Sequence, residues 1–167
     1  TATPRDCALV YLGAGSVPAG VAVRTGRELA RALGCDVYVA GVPDAVHTSR
    51  GHTVRCAPRF DFSELLPRTQ VFVHHGGQNS MMDALSYEVP QVIVSGRVFE
   101  RQFNAEAVEN ARCGLTVREP KPAFIARAAR RLVDEPALAS GIRGLREELS
   151  SLGGTKRIVR EVETLVS

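Results

Sequence analysis

Short apolar runs alternate along this chain with longer segments in which apolar residues recur at helical spacing. The short runs are rich in β-branched residues and end at glycine or polar turns, which is typical of strands buried in a parallel sheet. The predicted strands are Leu9–Leu12, Val37–Ala40, Gly51–Cys56, Val71–Val73, Gln91–Val94 and Leu115–Val117. Strands and helices alternate about six times, which predicts an α/β fold: a Rossmann-like open parallel sheet with helices on both faces.

Helices are predicted where apolar residues return every three or four positions. The predicted helices are one from Pro18 to Gly34, Gln78–Tyr87, Asn104–Arg112, one around Ile125–Leu132, one from Pro136 to the glycines Gly153 and Gly154, and a last one, Thr155–Val166, with Ile158, Val162 and Leu165 on one stripe. Polar and turn-forming residues predict loops at Gly41–Asp44 and Ser95–Phe103.

The junction Val71–Ser80 is the most informative stretch, because an apolar run stops there at two histidines and two glycines. Gly76 and Gly77 permit positive φ and close backbone approach. The helix that follows presents unpaired N–H groups and the positive end of its dipole at its N-terminus. The junction is therefore a candidate phosphate site. An ordinary tight turn before a capped helix is the alternative interpretation.

Composition narrows the possible functions. The chain has 167 residues, a length that fits one domain. Its formal charge is only +3 and its Lys and Arg are dispersed, so we expect no nucleic-acid partner. The four cysteines, Cys7, Cys35, Cys56 and Cys113, form no metal-binding spacing and are expected to be thiols in a reducing cytoplasm. No apolar run is long enough to cross a bilayer.

The N-terminus is polar and contains proline, and it begins at Thr1 rather than at Met. We interpret residues 1–8 as the remnant of an interdomain linker and residues 9–167 as the domain itself.

Three motifs carry a family resemblance: HGGQNSMMDAL, then VPQVIV, then FNAEAVENARCGL. In this order they resemble the donor-binding signature of GT-B glycosyltransferases, which use nucleotide-activated sugars. VHHGG and VPQV are similar to the bacterial enzymes that glycosylate macrolides and enediynes. The resemblance runs from about Leu9 to the C-terminal helix. It implies a C-terminal donor-binding domain excised from a longer enzyme, whose acceptor-binding N-terminal domain has no counterpart here.

The resemblance assigns a set of residues to the donor. The diphosphate-binding candidates are His75, Gly76, Gly77, Gln78, Asn79, Ser80, Gly15 and Ser16. Asp83, where Glu is more usual, is the candidate for the ribose hydroxyls. The turn Gly13–Ser16 resembles the first donor loop of the family, although glycines after a first strand are common in α/β proteins.

Two loops depart from the pattern of the family. Arg59, Phe60 and Asp61 occupy the nucleobase positions, where a stacking aromatic residue and a proline are usual; the phenylalanines could instead anchor the loop to the core. Glu100 and Arg101 occupy the Asp-Gln positions that bind sugar hydroxyls in the family. The alternative interpretation is that they are a solvated Glu and Arg on a loop, with no role in binding. The charge on Arg101 suggests a modified or deoxygenated sugar rather than plain glucose.

The resemblance implies inverting transfer of the sugar from a UDP- or TDP-sugar to a small hydrophobic natural product. The general base is expected in the N-terminal domain, so we expect no catalytic residue here and no activity from this chain alone. No cofactor and no metal are expected, because the helix dipole and His75 supply the charge stabilisation. Three alternatives stay open: a stand-alone donor subunit of a two-component glycosyltransferase, a sugar-nucleotide isomerase on the same scaffold, and a non-catalytic partner protein that retains the fold.

Overall fold

A seven-stranded sheet forms the centre of the chain in the computed structural model, which describes residues 4–13, 15–154, 157 and 164. The strands are β1 (Cys7–Tyr11), β2 (Asp36–Ala40), β3 (Ala45–Ser49), β4 (His52–Ala57), β5 (Thr69–His74), β6 (Gln91–Val94) and β7 (Gly114–Val117). They are arranged in the order β3-β4-β2-β1-β5-β6-β7, and every neighbouring pair is parallel except β3 with β4. The predicted fold class is confirmed.

Six α-helices connect these strands or follow them in the described part of the chain. They are α1 (Ala19–Leu33), α2 (Phe62–Leu65), α3 (Gln78–Ser86), α4 (Phe99–Asn110), α5 (Pro122–Asp134) and α6 (Ile142–Ser151). Short 3-10 turns at Leu66–Arg68 and Pro136–Ala139 complete the pattern, so the segment after Pro136 becomes an α-helix only at Ile142. The last predicted helix, Thr155–Val166, lies outside the described residues.

The helices cover both faces of the sheet. On one face α1 and α5 pack against the strands through fully buried aliphatic side chains such as Leu29, Val39 and Ile125. On the other face α2, α3, α4 and α6 pack around Phe72 and Ile93. Each such side chain contributes about 1.5–3 kcal/mol to the free energy of folding when it is buried away from water. These two layers therefore fix the positions of the strands whose ends carry the site.

Strand β3 is an element that the sequence did not predict, and it begins directly after the predicted loop Gly41–Asp44. Ala45–Ser49 pairs antiparallel with β4 at the edge of the sheet, and Arg50 and Gly51, both with positive φ, form the two-residue hairpin turn between them. This is the backbone that a tight type I′ turn requires, but Asn-Gly is its usual sequence and Arg-Gly is not. β3 was also hard to predict because its side chains are half-exposed rather than apolar.

Helix α4 corrects a second boundary. It begins at Phe99, whereas the sequence predicted a loop up to Phe103, so Glu100 and Arg101 lie in the first helical turn rather than in a loop. The first turn has no side-chain cap at Val98, and Phe99 and Phe103 are 82% and 64% exposed. These two phenylalanines face solvent rather than the core. A search for core-facing apolar residues at helical spacing therefore does not locate the start of this helix. Among the described residues, no helix is long and apolar enough to span a bilayer.

Candidate functional site

The candidate site lies at the point where the order of the strands in the sheet reverses. The chain builds outward from β1 to β2 and β4 on one side, and from β5 to β6 and β7 on the other, so the strand order reverses between β1 and β5. In open α/β sheets, ligands bind beyond the carboxyl ends of the strands at such a point. Tyr11 and His74, the last residues of these two strands, are paired in register, and a glycine turn follows each of them.

The first glycine turn follows β1. Gly13 and Gly15 have φ values of 81° and 79°, and the N–H of Ser16 donates to the carbonyl of Gly13 at 3.3 Å. A Cβ on Gly13 would lie 3.0 Å from Ser16 Oγ and 3.3 Å from His75 Cγ, whereas one on Gly15 would meet nothing within 4 Å. The two glycine turns are therefore in contact, and Gly13, to which the sequence assigned no role, is the glycine that makes this contact possible.

The second glycine turn follows β5. Gly76 has φ 86°, and a Cβ there would come within 2.8 Å of Ile93 Cγ2. Gly77 does not have positive φ, which corrects the expectation for this position: its φ is −66° and its ψ is 143°. It must be small for another reason, because a Cβ on Gly77 would lie 2.6 Å from Nε2 of His75.

The N-terminus of α3 follows directly on this turn. Its N-cap residue is Gly77, which offers no capping side chain, and its first turn contains no acidic residue. Gln78 and Asn79 are exposed there, whereas Ser80 is buried. The first backbone N–H groups of a helix without a capping side chain need water or a ligand, and the helix dipole favours an anion. These are the properties that the sequence predicted for a phosphate site.

His75 stands between the two turns. Its ring packs edge-on against Tyr11 at a centroid distance of 5.3 Å, and its Nδ1 lies 3.4 Å from the carbonyl oxygen of Tyr11. Burial lowers the pKa of His75 and the carbonyl of Tyr11 raises it, while the nearby charge on Arg101 lowers it. Because a carbonyl only accepts, Nδ1 carries the proton in the neutral ring and Nε2 carries the lone pair. A phosphate oxygen at Nε2 would therefore draw a second proton onto the ring.

His74 is a supporting residue to which the sequence assigned no role. Its side chain is fully buried; its Nδ1 accepts from the backbone N–H of Gly76 at 3.1 Å, and its Nε2 lies 2.9 Å from Gln91 Oε1. The acceptor role of Nδ1 places the proton on Nε2, which donates to Gln91. Burial lowers the pKa of His74 to about 4, so the ring is neutral at neutral pH. His74 thus fixes the N–H of Gly76 on the buried side of the turn. This corrects the expectation that the Gly76 backbone donates to a diphosphate, because its N–H already has a partner in the core.

The first two turns of α4 reach both glycine turns. Arg101 Nη2 donates to Ser16 Oγ at 3.0 Å, and Asn104 Nδ2 donates to the carbonyl of Gly76 at 2.8 Å. Glu100 is exposed and lies near enough for its charge to raise the pKa of His75. The structure therefore brings Arg101, a predicted sugar residue, to the predicted diphosphate residues. Asn104 was not predicted as a site residue, and its contact with Gly76 is visible only in three dimensions.

The nucleobase candidates are divided between surface and core. Arg59 is exposed, while Phe60 packs edge-on against Tyr38 at 5.4 Å and contacts the buried cluster around Leu9 and Phe72. Asp61 caps α2, because its Oδ1 accepts from the backbone N–H of Ser63 at 2.8 Å. Phe60 and Asp61 thus have structural tasks in this loop, as the alternative interpretation of the phenylalanines expected.

The ribose candidate, Asp83, is partly buried on α3, and this burial raises its pKa. It lies four residues after Asn79, so the two side chains share a face of the helix. Within the part of the chain that the structure describes, no group of three His, Cys, Asp or Glu side chains could hold a metal ion.

Comparison with known proteins gives a consistent result. Residues 39–165 match the family model described as "Erythromycin biosynthesis protein CIII-like, C-terminal domain". The 10-deoxymethynolide desosaminyltransferase of Streptomyces venezuelae is 29% identical over 99% of this chain and 40% of its own length. The L-demethylnoviosyl transferase of Streptomyces niveus is 38% identical over 52% of this chain and 23% of its own length.

Solved structures share the fold. The glycotransferase of kitacinnamycin superimposes with a TM-score of 0.80 at 26% identity, over 98% of this chain and 44% of that protein. The glycosyltransferase SsfS6 of Streptomyces sp. SF2575, solved in complex with thymidine diphosphate, superimposes with a TM-score of 0.68 at 26% identity, over 87% of this chain and 37% of that protein. The chain thus spans less than half the length of these relatives.

Proposed function

Because this chain belongs to the family of erythromycin biosynthesis protein CIII-like C-terminal domains, found in natural-product glycosyltransferases with the GT-B fold, we propose that it binds the nucleotide-diphosphate sugar from which such an enzyme transfers the sugar. The observation that carries this proposal is the meeting of two glycine turns at the strand-order reversal, with His75 between them and the uncapped α3 behind.

The diphosphate lies, in this proposal, across the two turns. Ser16 and the backbone of Gly15 contact it from the first glycine turn, and the N–H groups of Gly77 to Ser80 donate to it from the second. The N–H of Gly76 is already used by His74, so Gly76 contributes through the shape of the turn. His75 donates from Nε2 once it is protonated. As the bond between the anomeric carbon and the diphosphate breaks, negative charge grows on the leaving group. Donors and a helix dipole that are already in place stabilise that charge most effectively. The proposal requires no metal ion and no cofactor.

The remaining candidates complete the donor. Asp83 accepts from the ribose hydroxyls, and the nucleobase lies at the loop of Arg59, Phe60 and Asp61, where the exposed plane of Arg59 is free of the packing that holds Phe60. Glu100, exposed beside His75, accepts from sugar hydroxyls. A thymidine diphosphate donor is favoured over a uridine one by the complex of SsfS6, a relative at 26% identity.

The whole reaction needs a second domain. Cys7 and Ala8, which the sequence assigned to a linker, are buried residues of β1, so the domain includes them. We propose that an N-terminal domain carries the general base and the acceptor pocket, and that the sugar passes with inversion to a small hydrophobic natural product. The relatives' names, which include a desosaminyltransferase of 10-deoxymethynolide and a 6-deoxyallosyltransferase of O-mycaminosyltylonolide, support a deoxygenated sugar and a macrolide-type acceptor. This chain alone is expected to bind donor without transferring its sugar.

Calorimetric titration of the chain with thymidine diphosphate and uridine diphosphate tests the proposal. Binding of at least one is expected, and the variant His75→Ala should weaken it about tenfold or more, since a charge-assisted hydrogen bond contributes roughly 1.5–3 kcal/mol. His47→Ala, at a half-exposed position on the edge strand β3, is the matched control and should bind as the unaltered chain does. Equal affinities for His75→Ala and the unaltered chain would remove His75 from the site, and no binding of either diphosphate would refute the proposal.

A further inference from the structure

Arg101 links the two glycine turns through its side chain. Its Nη2 donates to Ser16 Oγ at 3.0 Å, although the two residues are 85 positions apart in the sequence. Ser16 is exposed and Arg101 is half-buried, so the contact lies at the mouth of the site and not in the core. The end of the Arg101 side chain is therefore positioned at the first turn.

The other end of Arg101 is positioned at the second turn. Its Cβ and its carbonyl oxygen each lie 3.3 Å from the place that a Cβ on Gly76 would occupy, so α4 packs directly on that glycine. Asn104, one turn along α4, holds the carbonyl of Gly76 at 2.8 Å. Because both ends are anchored, the side chain of Arg101 crosses the gap between the turns.

The electrostatics of this gap indicate what the guanidinium faces. The positive charge of Arg101 is close enough to His75 to lower the pKa of that ring. The carboxylate of Glu100 acts on the pKa of His75 in the opposite direction, but less strongly than Arg101 does, and it is exposed. The charge of Arg101 and the ring of His75 thus interact beside the uncapped N-terminus of α3, where the helix dipole adds further positive potential. A neutral sugar hydroxyl gains little from such a field, whereas an anion gains much, and a guanidinium offers five donors in a planar fork that matches phosphate oxygens.

We propose that Arg101 binds the diphosphate of the donor and does not read the sugar hydroxyls. This inference rests on the proposed function and changes the role that the family resemblance implies for this position, where an amide would bind the sugar. Ser16 then orients the guanidinium toward the phosphate oxygens as well as contacting them itself. Reading of the sugar falls to Glu100, the exposed neighbour of Arg101.

Two ligands separate the two roles. Thymidine diphosphate and its glucose ester share the diphosphate and differ in the sugar, so a residue that binds phosphate affects both, while a residue that reads the sugar affects only the ester. We would titrate both ligands calorimetrically into the unaltered chain, Arg101→Gln and Arg127→Gln, and repeat the titrations with the uridine pair. Arg127→Gln removes the same charge from α5, on the opposite face of the sheet, and is the matched control.

Arg101→Gln is expected to weaken the binding of both thymidine diphosphate and its glucose ester, each by about ten- to a hundredfold, and Arg127→Gln to change neither. Arg101→Lys keeps the charge but loses the fork, so an intermediate loss is expected; this variant also serves if Arg101→Gln does not fold, as judged by urea denaturation. Unchanged affinity for the diphosphate combined with weaker binding of the ester would overturn the inference and return Arg101 to the sugar. Failure of the unaltered chain to bind any of the four ligands would overturn the proposed function, and this assignment with it.

Discussion

Two adjacent histidines perform opposite tasks at the centre of the site. His75 is half-exposed between the glycine turns, and its Nε2 lies next to Gly77 at the start of α3. His74 points into the core, where its ring joins the N–H of Gly76 to the side chain of Gln91. The sequence distinguishes them only weakly, because two residues of the same type stand next to each other where β5 ends at His74.

The buried ring of His74 makes folding stability depend on pH. Its pKa is about 4 in the folded protein and near 6.5 when the chain is unfolded, so the unfolded state binds more protons between these values. The contribution of His74 to the free energy of unfolding is thus fully present above pH 6.5. It falls by about 1.4 kcal/mol per pH unit as the pH is lowered toward 4. Urea unfolding at pH 7.5, 6 and 5 should show this slope, and His74→Asn, whose amide oxygen can still accept from Gly76, should reduce it. The same slope in both proteins would exclude His74 as its origin.

Among individual residues, the sequence predicted those whose side chain, or lack of one, suggests a role in binding. His75, Gly76, Ser16 and Arg101 were all identified as site residues, and the structure brings them together. His74 and Asn104 were not, because their partners are backbone groups of Gly76, and a side chain's bond to backbone leaves no mark on the sequence of its partner. The diphosphate role proposed for Arg101 likewise depends on where α4 begins, which periodicity did not locate.

Among the elements, the turn between β5 and α3 carries most of the site. Its two glycines are needed for different reasons: Gly76 for its positive φ and its contact with α4, and Gly77 for the space that the His75 ring occupies. The sequence predicted a special turn here but treated the two glycines alike. The backbone angles and the position of the His75 ring, which lies over Gly77 at the start of α3, distinguish them.

Replacing each glycine by alanine should separate these two requirements. Gly76→Ala forces a side chain into left-handed backbone and against Ile93, and should lower the free energy of unfolding by about 2 kcal/mol or more. Gly77→Ala keeps an allowed backbone and should cost less than about 1 kcal/mol, but it displaces His75 and should weaken thymidine diphosphate binding several-fold. Urea unfolding and calorimetric titration of both variants test this; normal diphosphate affinity in Gly77→Ala would contradict the placement of His75.

Elements buried on both faces were the most predictable. The six parallel strands appear within a few residues of their predicted bounds, and β1, β5 and β6, which are buried along almost their whole length, were recognised from continuous apolar runs. The edge strand β3 was not predicted, because it is half-exposed, and the start of α4 was predicted as a loop, because Phe99 and Phe103 face solvent. Both errors lie at surfaces, where no core imposes a pattern on the sequence.

For the whole molecule, the order of the strands places the site more firmly than any single motif. Alternating strands and helices predicted an open sheet, and the observed order puts its reversal between β1 and β5, between the two glycine turns. The matched relatives are more than twice as long as this chain. The site therefore belongs to one half of the proposed enzyme, and donor binding is the part of the reaction that this half can be tested for.

The central claim is that the two glycine turns together hold a nucleoside diphosphate. Amide chemical shifts of the ¹⁵N-labelled chain, followed by NMR during titration with thymidine diphosphate, test it most directly because they locate the ligand residue by residue. The account predicts that the largest changes occur at Gly15, Ser16 and the segment 76–80, and that they saturate together. Changes confined to the exposed arginines of α1 and α5, or an absence of change at both turns, would contradict it.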